Sequence, residues 1–384
     1  MVNTSHGGAV LSKPLLMEGD PDDEYGEANV VTRLFRLLKN VRRGSDLTNF
    51  QLPAVFNIPK SQLQLFGESV YCVKKNMLRK CNTSPTPLER LTAVVAWTIS
   101  TSRHLKFGTA PYNPVLGETH HASRGSLNVL LEQVSHHPPV SALHATDDVE
   151  KIDMVWCHYH IAKFYGSKVE AEVKGRRVLK LLNHGETYLI QVPNLFVKLF
   201  PPGIDWVGKM KVCCPETNLE ANLTYSTSSF LGRGGGAHSV KGKIYNSSSS
   251  STLVEVSGRW NSIITAKNID TGKETVIYNA KEVIGGLSAP FVRDHQRVWR
   301  SESAVVWSEV NRCILAKDWD NANEAKKRVE RTQRELAKTR LSEGHPWLAK
   351  HFSVSHSKED GWTCSPLQKS APPAPIIFSV DPVE

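Results

Sequence analysis

The sequence has few cysteines for its length and no two of them at metal-binding spacing. The seven, at positions 72, 81, 157, 213, 214, 313 and 364, are scattered and odd in number. The absence of any CxxC argues against a zinc ribbon or a redox dithiol. Adjacent Cys213 and Cys214 read as a structural coincidence, and reduced thiols in a cytosolic protein are the expectation. No run approaches the roughly 18 apolar residues that a membrane-crossing helix needs. The first residues lack the charged and apolar regions of a secretory leader. Any membrane contact is then peripheral, and sequons such as Asn82-Thr83-Ser84 are incidental. There is no GxSxG nucleophile elbow, no HExxH zinc motif and no repeat with a period of about 20–50 residues. Aromatic residues make up only 8% of the chain, and no nucleic-acid-binding module is recognisable, so nucleic acid is not an expected partner.

What is present suits a folded soluble protein. The 384 residues are 40% hydrophobic and 22% charged, enough for one large domain or two ordinary ones. A net charge of +9 favours anionic partners, and without a nucleic-acid module acidic headgroups are the better match.

The chain divides by pattern. Residues 1–29, polar and then acidic over Asp20–Glu24, are expected to be disordered. A short amphipathic segment follows, with Val31, Leu34, Phe35, Leu38 and Val41 on one face and Arg33, Arg36, Lys39, Arg42 and Arg43 off it or after it. It suits a helix lying on an anionic bilayer or one packed on the main domain. Thr86-Pro87-Leu88-Glu89 combines an N-cap, a first-turn proline and a capping box, which predicts a helix over 87–105 with Leu88, Leu91, Val95 and Ile99 inward. From about 125 to 290, alternating and β-branched stretches such as Val169–Val173 and Leu253–Val256 alternate with turn signals at Asn183–Gly185, Gly232–Gly236 and the serine tract 247–251. Strands so numerous and so closely spaced predict a large antiparallel barrel or sandwich. Residues 300–343 read as helical up to Gly344 and Pro346, and the proline-rich tail after about 365 reads as disordered.

The most unusual string is Glu132-Gln133-Val134-Ser135-His136-His137-Pro138-Pro139. Two prolines fix the backbone after two imidazoles, each able to donate hydrogen bonds, so the segment can present both rings to an anion. Taken alone, a pair of core histidines is the better reading. A second pair, His120-His121 after Glu118, raises a metal site, but adjacent strand residues point to opposite faces, and that reading is set aside.

The eight-residue string resembles the signature of the oxysterol-binding-protein-related family. Further segments resemble the family in the same order: Leu52-Pro53 with Pro59-Lys60-Ser61 and Leu63, Asn113-Pro114-Val115-Leu116-Gly117-Glu118, Ser257-Gly258-Arg259-Trp260-Asn261, Gln333-Arg334, and the region Trp347–Trp362. Together they cover about residues 46–365, in the order of the short plant-type members.

The resemblance implies a β-rich (α+β) fold: a large incomplete antiparallel β-barrel around an apolar tunnel, with an N-terminal lid at about 46–57 and flanking helices. It implies that a sterol or phosphatidylinositol 4-phosphate occupies the tunnel, with exchange between membranes or lipid sensing as the output. No catalysis, metal or cofactor is implied. A dry cavity is what removing a sterol or two acyl chains from a bilayer requires.

The family's headgroup-binding histidines carry over to His136 and His137, and its helical Lys, Glu and Arg to Lys326, Glu330 and Arg334, whose four-residue spacing places them on one helix face. Asn113 belongs to the same headgroup set. Many members place a phosphate-contacting lysine where this chain has Ala110; Lys106 is the candidate substitute, and Tyr112 a further candidate. Asp22–Ala28 loosely resembles the acidic motif by which members bind endoplasmic-reticulum membrane proteins, without its second aromatic. The expected location is cytoplasmic, peripheral at the endoplasmic reticulum or other membranes.

Overall fold

The structure, a computed structural model, describes residues 8–15, 17, 30–48, 50–74, 77–227 and 236–380. The acidic segment Asp22–Ala28 and Gly232–Gly235 lie outside these. Helix α1 (Val30–Leu38) precedes the short strand β1 (Asn57–Ser61), helices α2 (Gln62–Tyr71), α3 (Met77–Thr83) and α4 (Pro87–Ser100), and strand β2 (Ala110–Tyr112), which pairs parallel with β1. Then come β3 (Thr119–Arg124), β4 (Leu127–His136), β5 (Pro139–Asp147), β6 (Ile152–Phe164), β7 (Lys168–Leu181), β8 (Glu186–Gln191), β9 (Asn194–Leu199), β10 (Pro202–Cys214), β11 (Leu219–Ser226), β12 (Ser239–Asn246), β13 (Thr252–Arg259), β14 (Ile263–Asn268) and β15 (Glu274–Asn279). These pair as an antiparallel succession, with β10 meeting β8 along one half and β9 along the other. The last part of the chain contributes α5 (Ala280–Ile284), β16 (Phe291–Val292), α6 (Ser303–Val306), α7 (Ser308–Leu315), α8 (Trp319–Ser342), the hairpin β17 (Phe352–Ser357) and β18 (Gly361–Pro366), and β19 (Ile376–Phe378). Among the described residues fifteen strands form one sheet, which curls into an incomplete β-barrel.

Local chemistry explains the elements. In β11, Leu219, Ala221, Leu223 and Tyr225 are buried while the residues between them are not, the period of two of a half-buried strand. Gly258 sits at φ +146° with the Ile263 carbonyl where a Cβ would be, so only glycine lets β13 and β14 approach there. Helix α4 starts with the expected capping box: Glu89 N–H donates to Thr86 Oγ1 at 3.2 Å and Thr86 N–H to the Glu89 carboxylate at 3.1 Å. It stops at Ser100, short of the expected 105, because Ser100 and Thr101 hydroxyls donate back to the carbonyls of Trp97 and Thr98. The helical stretch 300–343 is three helices. Lys317, at φ +57°, breaks it, and Asp318 restarts it by capping α8.

The lower half of the barrel is filled. Leu63 and Val70 of α2 and Leu91, Val95 and Ile99 of α4 pack with Trp156, Leu179, Leu223 and Val256 from the sheet. A buried bidentate pair between Arg90 and Glu186, at 2.9 and 2.6 Å, fastens α4 to β8.

The upper half of the sheet is less tightly packed. On the inner face of β6 and its partner β7, His160, Ala162, Ala171 and Val173 still meet solvent-sized space. Above them a rim cluster closes over: Phe164 and Leu199 pack with Leu38 of α1 and with Leu34, Val41, Phe107, Val169 and Val197. Residues 44–47 extend the rim, with Gly44 N–H donating to the Phe164 carbonyl and Leu47 N–H to that of Ala162. The amphipathic segment thus packs on the domain through Leu34, Leu37 and Leu38, and Phe35 faces out. The cover over the rim begins at α1, upstream of the 46–57 segment expected to close it.

Two further expectations are corrected. Residues 8–15 are packed rather than disordered: Val10 N–H donates to the Ala304 carbonyl, and the Ser12 carbonyl and Leu15 N–H complete the buried Lys60–Glu68 pair. A buried ion pair needs its remaining donors and acceptors met, and this segment meets them. Residues 366–380 of the tail are ordered as well. Ala371–Pro375 runs extended, the Pro372 carbonyl contacts His121 Nε2 at 2.7 Å, and β19 pairs parallel with β3. The hairpin β17–β18 seats on β4–β6 through Val134, Val140, Ala142, Phe352, Cys157 and Cys364, the two sulfurs 2.6 Å apart.

Ending the chain at Pro373 should therefore destabilise it. Ile376, Ile377 and Phe378 are buried, and losing them should cost on the order of 4 kcal/mol. Chemical denaturation of the truncated and full chains measures this, and a loose tail would leave the midpoint unchanged.

Candidate functional site

Strand β4 ends at His136, and the prolines turn the chain directly into β5. Val140 pairs with Tyr159, so the hairpin tip carrying His136 and His137 stands at the same end of the sheet as Ala162–Phe164, the rim that α1 covers. The two rings meet edge to face, with centroids 4.8 Å apart. His136 is half-buried and His137 exposed. The Pro114 carbonyl can only accept, so His136 Nδ1, 3.1 Å away, carries the proton and Nε2 is left facing outward with a lone pair. Burial, and then the neighbouring His137, hold the His136 pKa below its ordinary value. The ring is therefore neutral near pH 7 and becomes a double donor when an anion arrives.

The rest of the signature is scaffold. Glu132 accepts the backbone N–H groups of Lys350 and His351, both at 2.8 Å, and Gln133 holds Ser141 at 2.6 Å. Glu118 is fully buried and accepts from Val115 N–H, Ser303 Oγ and Trp307 Nε1 at 3.0, 2.7 and 2.9 Å. Gly117 is required because the Trp347 ring occupies the place of a Cβ. The second histidine pair is structural too. His120 bridges Tyr71 and Glu302 at 2.7 Å each, and His121 stacks on Trp299.

Of the sequence-predicted residues, His136 and Lys326 are tied to the segment Ala110–Pro114. Asn57 Nδ2 donates to the Ala110 and Pro111 carbonyls at 3.1 and 3.3 Å, while its Oδ1 accepts from Lys326 Nζ at 2.7 Å. Lys326 Nζ also donates to the Leu52 carbonyl, which uses two of its three N–H groups. One strand thus links His136, through Pro114, to Lys326, through Asn57. Burial lowers the Lys326 pKa to about 8, against the opposing effect of Glu330. Glu330, one turn on, is half-buried and 4.0 Å from Arg334, which is exposed. Asn113 and Lys106 are exposed.

Tyr112 does not belong to the site. It is fully buried, stacked on Trp307 at 4.5 Å, and donates to Asn311 at 2.9 Å. Sequence reasoning missed Asn57, whose one signal was a polar residue inside the apolar run Ala54–Pro59.

Comparison with known proteins identifies the family and the fold. Residues 33–312 match the family described as "Oxysterol-binding protein". The chain is 51% identical to oxysterol-binding protein-related protein 4B of Arabidopsis thaliana over 374 residues, 96% of this chain and 97% of that protein. To protein 4A of the same plant it is 50% identical over the same shares. The fold is similar to the Osh1 ORD domain solved with cholesterol (TM-score 0.73, 22% identity, 93% of this chain and 90% of that one). It is also similar to the Osh3 ORD from Saccharomyces cerevisiae solved with PI(4)P (TM-score 0.67, 22% identity, 96% and 95%). The chain belongs to the oxysterol-binding-protein family.

Proposed function

We propose that this protein binds one lipid at a time in its barrel and carries it between membranes, taking a sterol at one and phosphatidylinositol 4-phosphate at the other. The observation that carries the reading is that His136 directly, and Lys326 through Asn57, both engage the segment Ala110–Pro114, with His137 beside His136. Imidazole and ammonium donors at a cavity mouth suit a phosphorylated headgroup whose apolar part goes inside. Relatives of the same fold solved with cholesterol and with PI(4)P support both ligand classes. Both ligands draw on one interior, so each excludes the other, and exchange follows from their different abundance in two membranes. The basic charge favours the cytosolic faces of anionic membranes. Lys326, held by Leu52 and Asn57, ties headgroup recognition to the segment leading from the cover.

Extraction from liposomes tests the reading. With His136 and His137 both changed to Ala, phosphoinositide extraction should fall at least about tenfold while sterol extraction stays within about twofold. Equal phosphoinositide extraction by both proteins removes the headgroup role. Wild type that binds both lipids without moving them from donor to acceptor liposomes is a sensor.

Headgroup affinity should also depend on pH. A bound phosphate raises the Lys326 pKa above its free value of about 8, so binding takes up a proton above that pH. The Lys326 share of the affinity is therefore full below pH 8 and declines as pH rises beyond it. Lys326→Arg, which stays charged, should abolish the decline between pH 8 and 9.5 in a headgroup titration.

Ala110→Lys, which adds a cation to the strand the site is built around, should strengthen phosphoinositide binding about threefold or more in the same titration.

A further inference from the structure

Midway down the barrel lies a second polar cluster, distant in role from the rim. Trp156, His158 and His160 alternate along the inner face of β6, and Arg177 on β7 pairs across the ladder from Trp156. The Arg177 guanidinium lies 4.2 Å above the Trp156 ring, donates through Nε to His158 Nε2 at 2.8 Å, and donates through a terminal nitrogen to Thr101 Oγ1 at 3.2 Å. Phe66 of α2 stacks on His160, and Trp97 of α4 packs on Trp156. Trp97, Trp156 and His158 are each at most 2% exposed, and Arg177 9%.

This cluster is rich in donors and poor in acceptors. A guanidinium has no lone pair to offer, so His158 Nε2 must be the acceptor and its ring proton sits on Nδ1. That N–H has no partner, nor do the indole N–H groups of Trp97 and Trp156 or His160 Nε2. Among the described residues no carboxylate forms an ion pair with Arg177, and burial lowers its pKa to about 9. Native interiors seldom leave so many polar atoms unmet, and a buried cation calls for a counter-charge. Within the cluster it is His160, one step further along the inner face of β6, that is only partly buried. His160 keeps contact with solvent-sized space although burial pushes its pKa down to about 4, the condition of a residue on the wall of an internal chamber.

We infer that the floor of the chamber is an oxyanion site, built from Arg177, His158, Trp156 and Trp97, that takes the acidic end of an amphiphile whose apolar body fills the space above. The inference rests on the lipid-carrier reading and names a third ligand class for the same interior, one that enters acid first. A neutral hydroxyl can accept from these donors and give its proton to a ring nitrogen of neutral His160, but it brings no charge to match the guanidinium. A carboxylate or sulfate brings only acceptors and the missing charge.

A matched pair of probes, cholesterol and cholesterol sulfate, in neutral phosphatidylcholine vesicles provides the test, with protein-bound lipid quantified by mass spectrometry. The full chain should take the sulfate over the alcohol by about tenfold or more. Arg177→Met should remove that preference while still binding the alcohol, which also shows that the variant is folded. Arg177→Lys should keep part of it. Excess inorganic sulfate should not displace the bound probe, because it lacks the apolar body.

Equal or better binding of cholesterol by the wild type, or an unchanged preference in Arg177→Met, overturns the inference and leaves the carrier reading standing. Displacement by free sulfate overturns it as well, since the site then holds a small ion. Binding of neither probe overturns both readings.

Discussion

Fifteen strands in one sheet cannot lie flat. Strand twist accumulates and the sheet curls, so its inner face must be met by other elements. The rest of the molecule answers that constraint. Helices α2 and α4 occupy the lower half of the enclosure and pack their large apolar side chains against those of the sheet. Helix α1 and residues 44–47 close the rim. Between plug and cover, Ala162, Ala171 and Val173 are only half-buried.

The headgroup site depends on the same solution. A hairpin tip is a poor place to hold two imidazoles unless its base is rigid, and here the base is fixed by buried carboxylates. Glu132 ties β4 to the chain entering the C-terminal hairpin, and Glu118 ties the approach to β3 to α6 and α7. A buried carboxylate that receives two or three N–H or O–H donors is costly to disturb, which makes it a good anchor for a neighbouring binding group. The string Glu132–Pro139 therefore mixes two kinds of residue, a structural pair followed by a presenting pair.

Much of this was legible in the sequence, and the reasons for the gaps are physical. The α4 start was readable because capping is local chemistry: Thr86, Pro87 and Glu89 determine it among themselves. The strands from β11 to β14 were readable because one face is buried and the other wet, which imposes a period of two. The direction in which α1 faces was not readable, because a bilayer and the rim cluster ask for the same apolar stripe; its partners Phe164 and Val197 lie far along the chain. Order in residues 8–15 and in Ala371–Phe378 was hidden for a related reason: both segments owe it to distant polar partners, Lys60–Glu68 in one case and His121 and Ser123 in the other. At the rim, His136 and Lys326 were found by resemblance, whereas Asn57, which joins them, carries no motif. Tyr112 sits in the right segment with its ring turned the other way, since neighbouring strand residues face opposite sides.

The placement of β19 bears on how the molecule comes together. The outer edge of β3 is covered by residues that arrive late in synthesis: Ala374 N–H reaches Ser123 across a separation of 251 positions. Until that stretch has emerged, β3 presents open backbone donors and acceptors, a template for any other extended chain nearby. The sheet therefore cannot finish on the ribosome strand by strand from its first hairpin, and the nascent protein carries a sticky border through most of its elongation.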